Sequence, residues 1–542
     1  MLGYASERGV PVSPRSAGTN LSGGFKPGPS SVVLDMGART AIRSIDPDGL
    51  RAVVEPGLVN GDLQAALAPY GLCFSPDPAS RPISTIGGNI IENAGGPGCI
   101  KYGVTFHHVA AIQVALADGS LVRFAEGDAI DLLGVMIGSE GILGVVTEAT
   151  LRLRPLPKTT WTALISLDRL EDAAATVSEV IAAGLSPAAL EMCDRRQVNL
   201  CEDWLPSGYP RDAEAILFAE LDGDPDEVAH AAAVLEPLMR RRDAEVRLAR
   251  DPEERARMWA GRLSAFHAFK ASGKEFYVCD VTVPRQRIPE MVLEARRIAV
   301  ELGLDVSTVA HVGDGNMHPV ILYDAPEIER MRSGADAIAS AALALGGTLT
   351  GEHGIGTEKV RHMRHRFGPA EIAAFRAVKA AFDPAGILNP GVLLPSPEPD
   401  EPPLPAFTDA VRGAIVGAGL PGQVVAGTSP GGIDINRDNL VVSAGGAEPC
   451  AAVAAALESA GLSPRAFQAG GTVAELVEMG GSAGEARADL LSVEAVLPDG
   501  PPVTFGSAAV KDVAGLDLKR LVAGGEGAFG RVRRATFKVA PG

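Results

Sequence analysis

Two short stretches concentrate the residues that could do chemistry: VAHVGDGNMHP at 309–319 and GEHGIG at 351–356. Between them they hold three of the nine histidines, His311, His318 and His353, together with Glu352 and Asp314. Two imidazoles separated by a glycine turn and completed by a distant carboxylate make a set suited to Zn, Mn or Fe(II), with positions left open for a substrate whose oxygen the cation would polarise. Taken singly, a histidine is more often a satisfied core or surface residue, and a spacing of seven is not a standard metal signature. The residues alone leave both readings open.

A second kind of chemistry is suggested by three glycine-rich loops near the start: RSAGTNLSGG at 15–24, PDPAS at 76–80 running to TIGGN at 85–89, and NAGG at 93–96. Glycine lets backbone N–H groups approach an anion closely, and successive N–H groups in such turns form a concave donor nest. Any one loop could be only a turn. Three together, with Ser, Thr and Asn donors interleaved, fit a pyrophosphate. No GxGxxG opens a helix after a strand, so a Rossmann site is not indicated.

These features must be positioned by a chain of 542 residues, which at about 100–200 residues per domain implies two to four domains. Hydrophobic residues are 46% and charged residues 21%, enough to bury cores and against global disorder. A net charge of −18 repels phosphate backbones and argues against nucleic-acid binding. Six cysteines, Cys73, Cys99, Cys193, Cys201, Cys279 and Cys450, form no C-x-x-C pair, so neither a disulfide framework nor an iron–sulfur cluster is signalled. No apolar run reaches a membrane span, and the start lacks the order of a signal peptide, which reads as cytoplasmic.

The chain divides at 1–155, 156–394, a Pro-rich linker at 395–405 and 406–542. The linker reads PSPEPDEPPLP, six prolines in eleven residues, a composition that fixes an extended backbone. An internal repeat joins the first region to the last. DLLGVMIGSEGILGVVTEATLRLRP (131–155) overlies DLKRLVAGGEGAFGRVRRATFKVAP (517–541) without a gap, with 10 identities in 25. Upstream, LRAVVEPGLVNGDLQAALAPYGL resembles LVVSAGGAEPCAAVAAALESAGL: a β-branched run, a turn, then an apolar stripe (Leu63, Ala66, Leu67, Tyr70 in the first) at helical spacing. Strands are predicted at Ser31–Leu34, Ala52–Val54 and Ala111–Leu116 in the first region, and at Phe276–Val283 and Val306–Ala310 in the second, an α+β chain overall.

PRSAGTNLSGG, PDPAS, STIGGNIIENAGG, KYG and GSEGILGVVT together resemble the flavin domain of the vanillyl-alcohol oxidase or PCMH superfamily. The resemblance implies a PCMH-type FAD-binding domain at 1–155, N-terminally truncated because the family's domain normally carries another strand and most of a helix ahead of this start. It assigns Gly18, Thr19, Asn20, Ser22 and Gly23 to the FAD diphosphate. Pro76, Ser80, Thr85, Gly87, Gly88, Asn93, Gly95, Gly141, Gly144 and Val146 would line the rest, with one FAD per chain. Binding is expected to be non-covalent, although Cys99 lies in a plausible loop for attachment.

AHVGDGNMHPVILYD, TLTGEHGIGTEK and FDPAGILNPG look like the ferredoxin-like C-terminal domain of FAD-linked oxidases acting on D-2-hydroxy acids, most closely the large flavoprotein subunit of glycolate oxidase, and then D-lactate dehydrogenases. By that resemblance His311, His318 and Glu352 are ligands of a divalent metal (Zn, Mn or Fe), His353 is the catalytic base, Arg262 pairs the substrate carboxylate, and Asn389 closes the FAD site. Val278 stands where some relatives have a lysine two residues before the aspartate, Asp280, which disfavours dicarboxylate substrates.

The implied reaction oxidises glycolate, D-lactate or another D-2-hydroxy acid to the 2-oxo acid by hydride transfer to flavin N5. Electrons would pass to a separate acceptor such as an iron–sulfur subunit, through which the chain could lie peripheral to a membrane. Region 406–542 resembles the small flavin-fold subunit of glycolate oxidase, a degenerate second PCMH-type domain. Ala474 and Glu475 stand where the family has two glycines, and a carboxylate there would repel a diphosphate, so no second FAD is expected. A non-catalytic assembly subunit or remnant is the alternative from a different class.

Overall fold

The computed structural model describes residues 1–417, 431–437, 439–468, 470–479, 484–498 and 500–541. In the first region an antiparallel five-stranded sheet runs in the order Ile42–Asp46, Arg51–Val54, Val145–Arg152, Val109–Ala115, Leu121–Ala125. Alternation sets its faces: Ala52 and Val54 are buried while Arg51 and Val53, alternating with them, are half-buried. A separate parallel pair, Val12–Arg15 with Val32–Asp35, carries the first glycine loop between its strands. The helix Asn60–Leu67 buries Leu63 and Leu67 completely. Tyr70, expected on the same stripe, is 53% exposed instead. Pro69 lies in a 3₁₀ turn, Ala68–Tyr70, that tightens the helix end and rotates the ring out.

The second region opens with Thr159–Leu167, helix Leu170–Ala182, Ala189–Asp194, Ala215–Gly223, helix Pro225–Met239 and Glu245–Leu248. This is the βαββαβ order of a ferredoxin-like unit, with a helix, Arg195–Trp204, inserted before the third strand. The sheet continues through Asp305–His311 and Asn316–Tyr323 to Glu275–Val278, and Val281–Thr282 also pairs with Asn316–Tyr323, making eight strands. Alternating residues face opposite layers. Ile165, Leu217 and Met317 join the helices Leu170–Ala182, Ile288–Leu302 and Ile328–Ala344, whereas Leu164, Phe218 and Val320 join the helices Pro252–Leu263 and Ala265–Ala271. The single strand predicted at 276–283 is broken at Cys279 and Asp280, which lie opposite Pro319 and His318.

The third region repeats the first sheet strand for strand: Ile433–Asn436, Val441–Gly445, Arg531–Lys538, Leu490–Val496, Pro502–Gly506. One hydrophobic core runs through both copies and the helices Pro369–Phe382 and Pro405–Ile415 between them. Phe375 meets Phe505, and Phe407 meets Phe529, at 6.2 and 6.1 Å between ring centroids. Residues 395–404 carry no helix or strand, yet they are held: Glu401 accepts from Arg364 and Arg376, and Leu404 is buried. No helix among the described residues is long and apolar enough to cross a membrane.

Candidate active site

The spacing of seven between His311 and His318 is explained by a hairpin. Strands Asp305–His311 and Asn316–Tyr323 pair with Val309 opposite His318, so His311, two residues beyond Val309, becomes a diagonal neighbour of His318 on the same face. Their rings meet edge to face at 5.1 Å. Glu352 Oε1 lies 3.1 Å from His311 Nε2 and 3.3 Å from His318 Nε2. The three donor atoms converge within 4.8 Å of one another.

The other nitrogens of both rings are also faced by carboxylates. His311 Nδ1 lies 2.7 Å from Glu191 Oε1, and His318 Nδ1 lies 3.6 Å from Asp280 Oδ1. Outer carboxylates of this kind fix ring orientation in metal sites. Burial opposes charge on Glu352, but Lys511 and His311 hold its carboxyl well below the usual range. A buried set of two imidazoles and an ionised carboxylate, with His311 held from behind by Glu191 and Glu352 by Lys511, fits a divalent cation.

Asp280 organises the GEHG turn. It is fully buried, and its Oδ2 accepts the backbone N–H groups of Gly351, Glu352 and His353 at 3.1, 3.1 and 2.8 Å and the Thr350 hydroxyl at 2.5 Å. Oδ1 accepts from Asn316 Nδ2 at 2.7 Å. Burial works against this charge too, yet the Lys359 ammonium, 3.5 Å away, holds the carboxyl well below its ordinary value. A side chain at Gly351 would collide with Thr282 and Asn316. The His353 ring stacks on His318 at 4.9 Å and 8°, and its Nε2 is 3.8 Å from Glu352 Oε1. Burial lowers His353 to about 4, against the pull of Asp280, so the imidazole is held neutral with a nitrogen lone pair unprotonated.

The first glycine loop reaches the same turn. The His353 carbonyl accepts from Ser22 Oγ at 2.7 Å and from Asn20 Nδ2 at 3.2 Å. Asn20 Oδ1 meanwhile closes its own loop on the N–H groups of Ser22 and Gly24. Asn389 donates to the carbonyls of Gly24 and Glu140. The Glu140 carboxylate receives the N–H groups of Ile355 and Gly356. Gly356, at φ 54°, packs on the Ser22 backbone so tightly that a Cβ would collide with it. Gly95 lies against Glu352.

Among the other residues expected near a flavin, Gly18 (φ 70°) and Thr19 are on the accessible side of the first loop. Pro76 O accepts from Asn60, and Ser80 closes the turn through Ser84. Thr85 caps the helix Ile86–Glu92 through Gly88 N, Gly87 packs on Pro56, and Asn93 (φ 51°) ends that helix. Gly141 (φ 72°) abuts Pro14. Gly144 and the Val146 side chain are packed into the core, against Val114 in the case of Gly144, which leaves only their backbone to face a ligand. Where these loops meet, Glu92 Oε2, Ser139 Oγ and Thr357 Oγ1 are buried without a hydrogen-bond partner. Orphaned buried polar atoms of this kind call for a bound polar group, and they fit a dinucleotide. Burial pushes the Cys99 thiol well up, which suits a protonated, unreactive thiol.

Arg262 is placed behind the histidines. Its Nη2 lies 2.6 Å from Glu191 Oε2, the far side of the carboxylate that holds His311, while its buried Nε has no partner. The reading from sequence missed Glu191, the anchoring role of Asp280, and Lys511. For Asp280 the signal was a lone acid in an otherwise apolar strand, VCDVTV. Glu191 and Lys511 carry no local signal.

A glycine-lined loop domain closed onto a ferredoxin-like domain through one histidine turn defines a flavoprotein oxidoreductase. Comparisons with known proteins agree. Residues 1–125 match the FAD binding domain family, and residues 156–393 match the FAD linked oxidases, C-terminal domain family. Glycolate oxidase subunit GlcD of Escherichia coli (strain K12) is 43% identical over 395 residues, covering 71% of this chain and 79% of that protein. GlcD of Bacillus subtilis (strain 168) is 40% identical over 400 residues, 72% and 85% of the two chains. D-lactate dehydrogenase of Anaerostipes hadrus is 32% identical over 403 residues, 71% and 85%. The crystal structure of p-cresol methylhydroxylase with substrate bound shares the fold, with TM-score 0.61 and 18% identity over 72% of this chain and 85% of that one. The chain belongs to the FAD-linked oxidases of the vanillyl-alcohol oxidase/PCMH fold.

Proposed function

We propose that this chain oxidises a small D-2-hydroxy acid, glycolate or D-lactate, to the corresponding 2-oxo acid. The observation that carries the reading is the His353 carbonyl held by Asn20 and Ser22 of the glycine loop, which ties the flavin loops to the residue best placed as base. Relatives named for glycolate and D-lactate support the substrate class. FAD, when bound, supplies the hydride acceptor at N5. A divalent cation held by His311, His318 and Glu352 would polarise the hydroxyl and carboxylate oxygens of the substrate.

The chain's own residues do the rest. His353 accepts the C2-hydroxyl proton at Nε2, its ring fixed by the stack on His318 and its backbone fixed at both N–H and carbonyl. Glu191 orients His311, and Arg262 steadies Glu191 while keeping its Nε for the substrate carboxylate. Val278 offers no cation to a second carboxylate, which favours monocarboxylic substrates. The six cysteines are buried, free and scattered in sequence, so electrons leaving the flavin go to a separate acceptor, for which an iron–sulfur subunit is the chemical class we favour.

The test is anaerobic flavin reduction with a panel of substrates. Yellow protein bleached by glycolate or D-lactate, and not by 2-hydroxyglutarate, is the expected result. Bleaching should slow by about 10²–10⁴-fold in His353→Ala. Colourless protein that takes up no FAD would instead support a non-catalytic subunit.

A further inference from the structure

The third region lies outside both family matches, yet it places a charge inside the candidate active site. Lys511 has a side chain only 1% exposed. Its Nζ lies 2.9 Å from Asp314 Oδ2 and 3.1 Å from Glu352 Oε2. Glu352 is thereby divided, with Oε1 facing His311 and His318 and Oε2 taken by the ammonium. The loop that delivers Lys511 is docked at consecutive residues. The next residue, Asp512, accepts from Thr348 Oγ1 at 2.7 Å, and Val513 N donates to the Thr350 carbonyl at 3.2 Å. Thr350 is the residue whose hydroxyl also binds Asp280. All three regions meet around Gly95, where an added Cβ would lie 2.5 Å from Glu352 Oε2, 3.1 Å from Cys99 Sγ and 3.3 Å from Lys511 Nζ.

We infer that Lys511 is a positioning residue of the cation site: it occupies one oxygen of Glu352 so that the carboxylate presents a single oxygen between His311 and His318, and the site is incomplete without the third region. A carboxylate with both oxygens free can swing or bind in bidentate fashion. A buried ammonium on one oxygen removes that freedom. Asp314 is the counter-charge that lets the ammonium stay buried. This inference rests on the reading of His311, His318 and Glu352 as cation ligands.

The experiment uses the full chain with FAD bound and Co²⁺ as the probe, comparing wild type, Lys511→Met, Lys511→Arg and His318→Ala. Expected in Lys511→Met is Co²⁺ binding weakened by about 10–100-fold, a weaker d–d absorption as Glu352 becomes bidentate, and unchanged flavin content, with Lys511→Arg close to wild type. Lys511→Leu, which likewise removes both the charge and the donor, serves in place of Lys511→Met if that variant does not fold. Unchanged or tighter Co²⁺ binding with a superimposable spectrum would overturn the inference while leaving the cation site standing. Wild type that binds Co²⁺ no better than His318→Ala would overturn both together.

Discussion

The first and third regions are two copies of one fold, and their hydrogen bonds coincide where the sequence repeat is strongest. Strands Val145–Arg152 and Arg531–Lys538 hold equivalent places. Gly138 N donates to Ile90 O in one copy and Gly524 N to Val477 O in the other; likewise Glu140 N to Ile91 O and Glu526 N to Glu478 O. Even the positive φ at Glu140 and Gly141 recurs at Glu526 and Gly527. The copies part at the loops.

Thr85 caps its helix over Gly87 and Gly88, whereas Thr472 caps over Ala474 and Glu475, and the Glu475 carboxylate folds back onto Thr472 N at 2.8 Å. The place an anion would take at the helix start in the first copy is taken by a side chain in the third. Compensation is local. Gly87 lies against Pro56, which has Gly446 as its counterpart, leaving room for the Cβ of Ala474. Glu140 grips the GEHGIG turn, while Glu526 is exposed. Backbone bonding and packing preserved the scaffold, and ligand chemistry was free to change because it depends on side chains the scaffold does not need.

Four experiments would break or sharpen this comparison. Gly88→Glu, installing the third copy's residue in the first, places a carboxylate in the loop proposed to hold FAD and should weaken FAD binding by more than about 100-fold, read as loss of visible flavin absorbance after gel filtration. Next comes pH. Burial raises Glu140 from 4.5 to about 7 against the pull of its two backbone donors. A carboxyl raised on folding contributes stability that is full below the unfolded value and lost as pH rises through about 7. Urea unfolding across pH 4.5 to 7 should therefore show a decline, up to about 3 kcal/mol of it from this group, that Glu140→Gln makes shallower while the similarly raised Glu92, Asp77 and Asp194 keep the remainder. Glu526→Gln should change stability by less than about 0.5 kcal/mol.

Third, Gly87→Ala forces a Cβ to within 2.6 Å of the Pro56 Cβ. It should cost about 1–2 kcal/mol, and Pro56→Gly should recover much of that loss in a double-mutant cycle. The smallest effect is Thr472→Ala, which removes the N-cap of the third region's helix and should cost about 1 kcal/mol by thermal unfolding with flavin content unaltered.

Much of this architecture was legible in the residues. The repeat showed itself because β-branched runs and glycine turns recur in register, and the glycine loops because some positions need a positive φ (Gly18, Gly23, Gly96) and others have no room for a Cβ (Gly87, Gly95). His311 and His318 stood out as a pair, but their spacing meant nothing until the hairpin was known. Tyr70 misled because a helical stripe was extended through Pro69. Arg262 was expected to meet a substrate carboxylate, whereas its contact with Glu191 left no mark in the sequence.

Local patterns therefore determined the elements, the repeat, the flavin loops and the identity of the histidine turn, since each depends on neighbours within a few residues. Tertiary structure alone decided that Asp280 anchors that turn, that Glu191 stands behind His311, and that Lys511 crosses from the far end of the chain to meet Glu352. These are contacts between residues remote in sequence, and a buried charge leaves no periodicity behind. Its partner is chosen by the need to neutralise it where water is excluded, and only the folded chain brings that partner near.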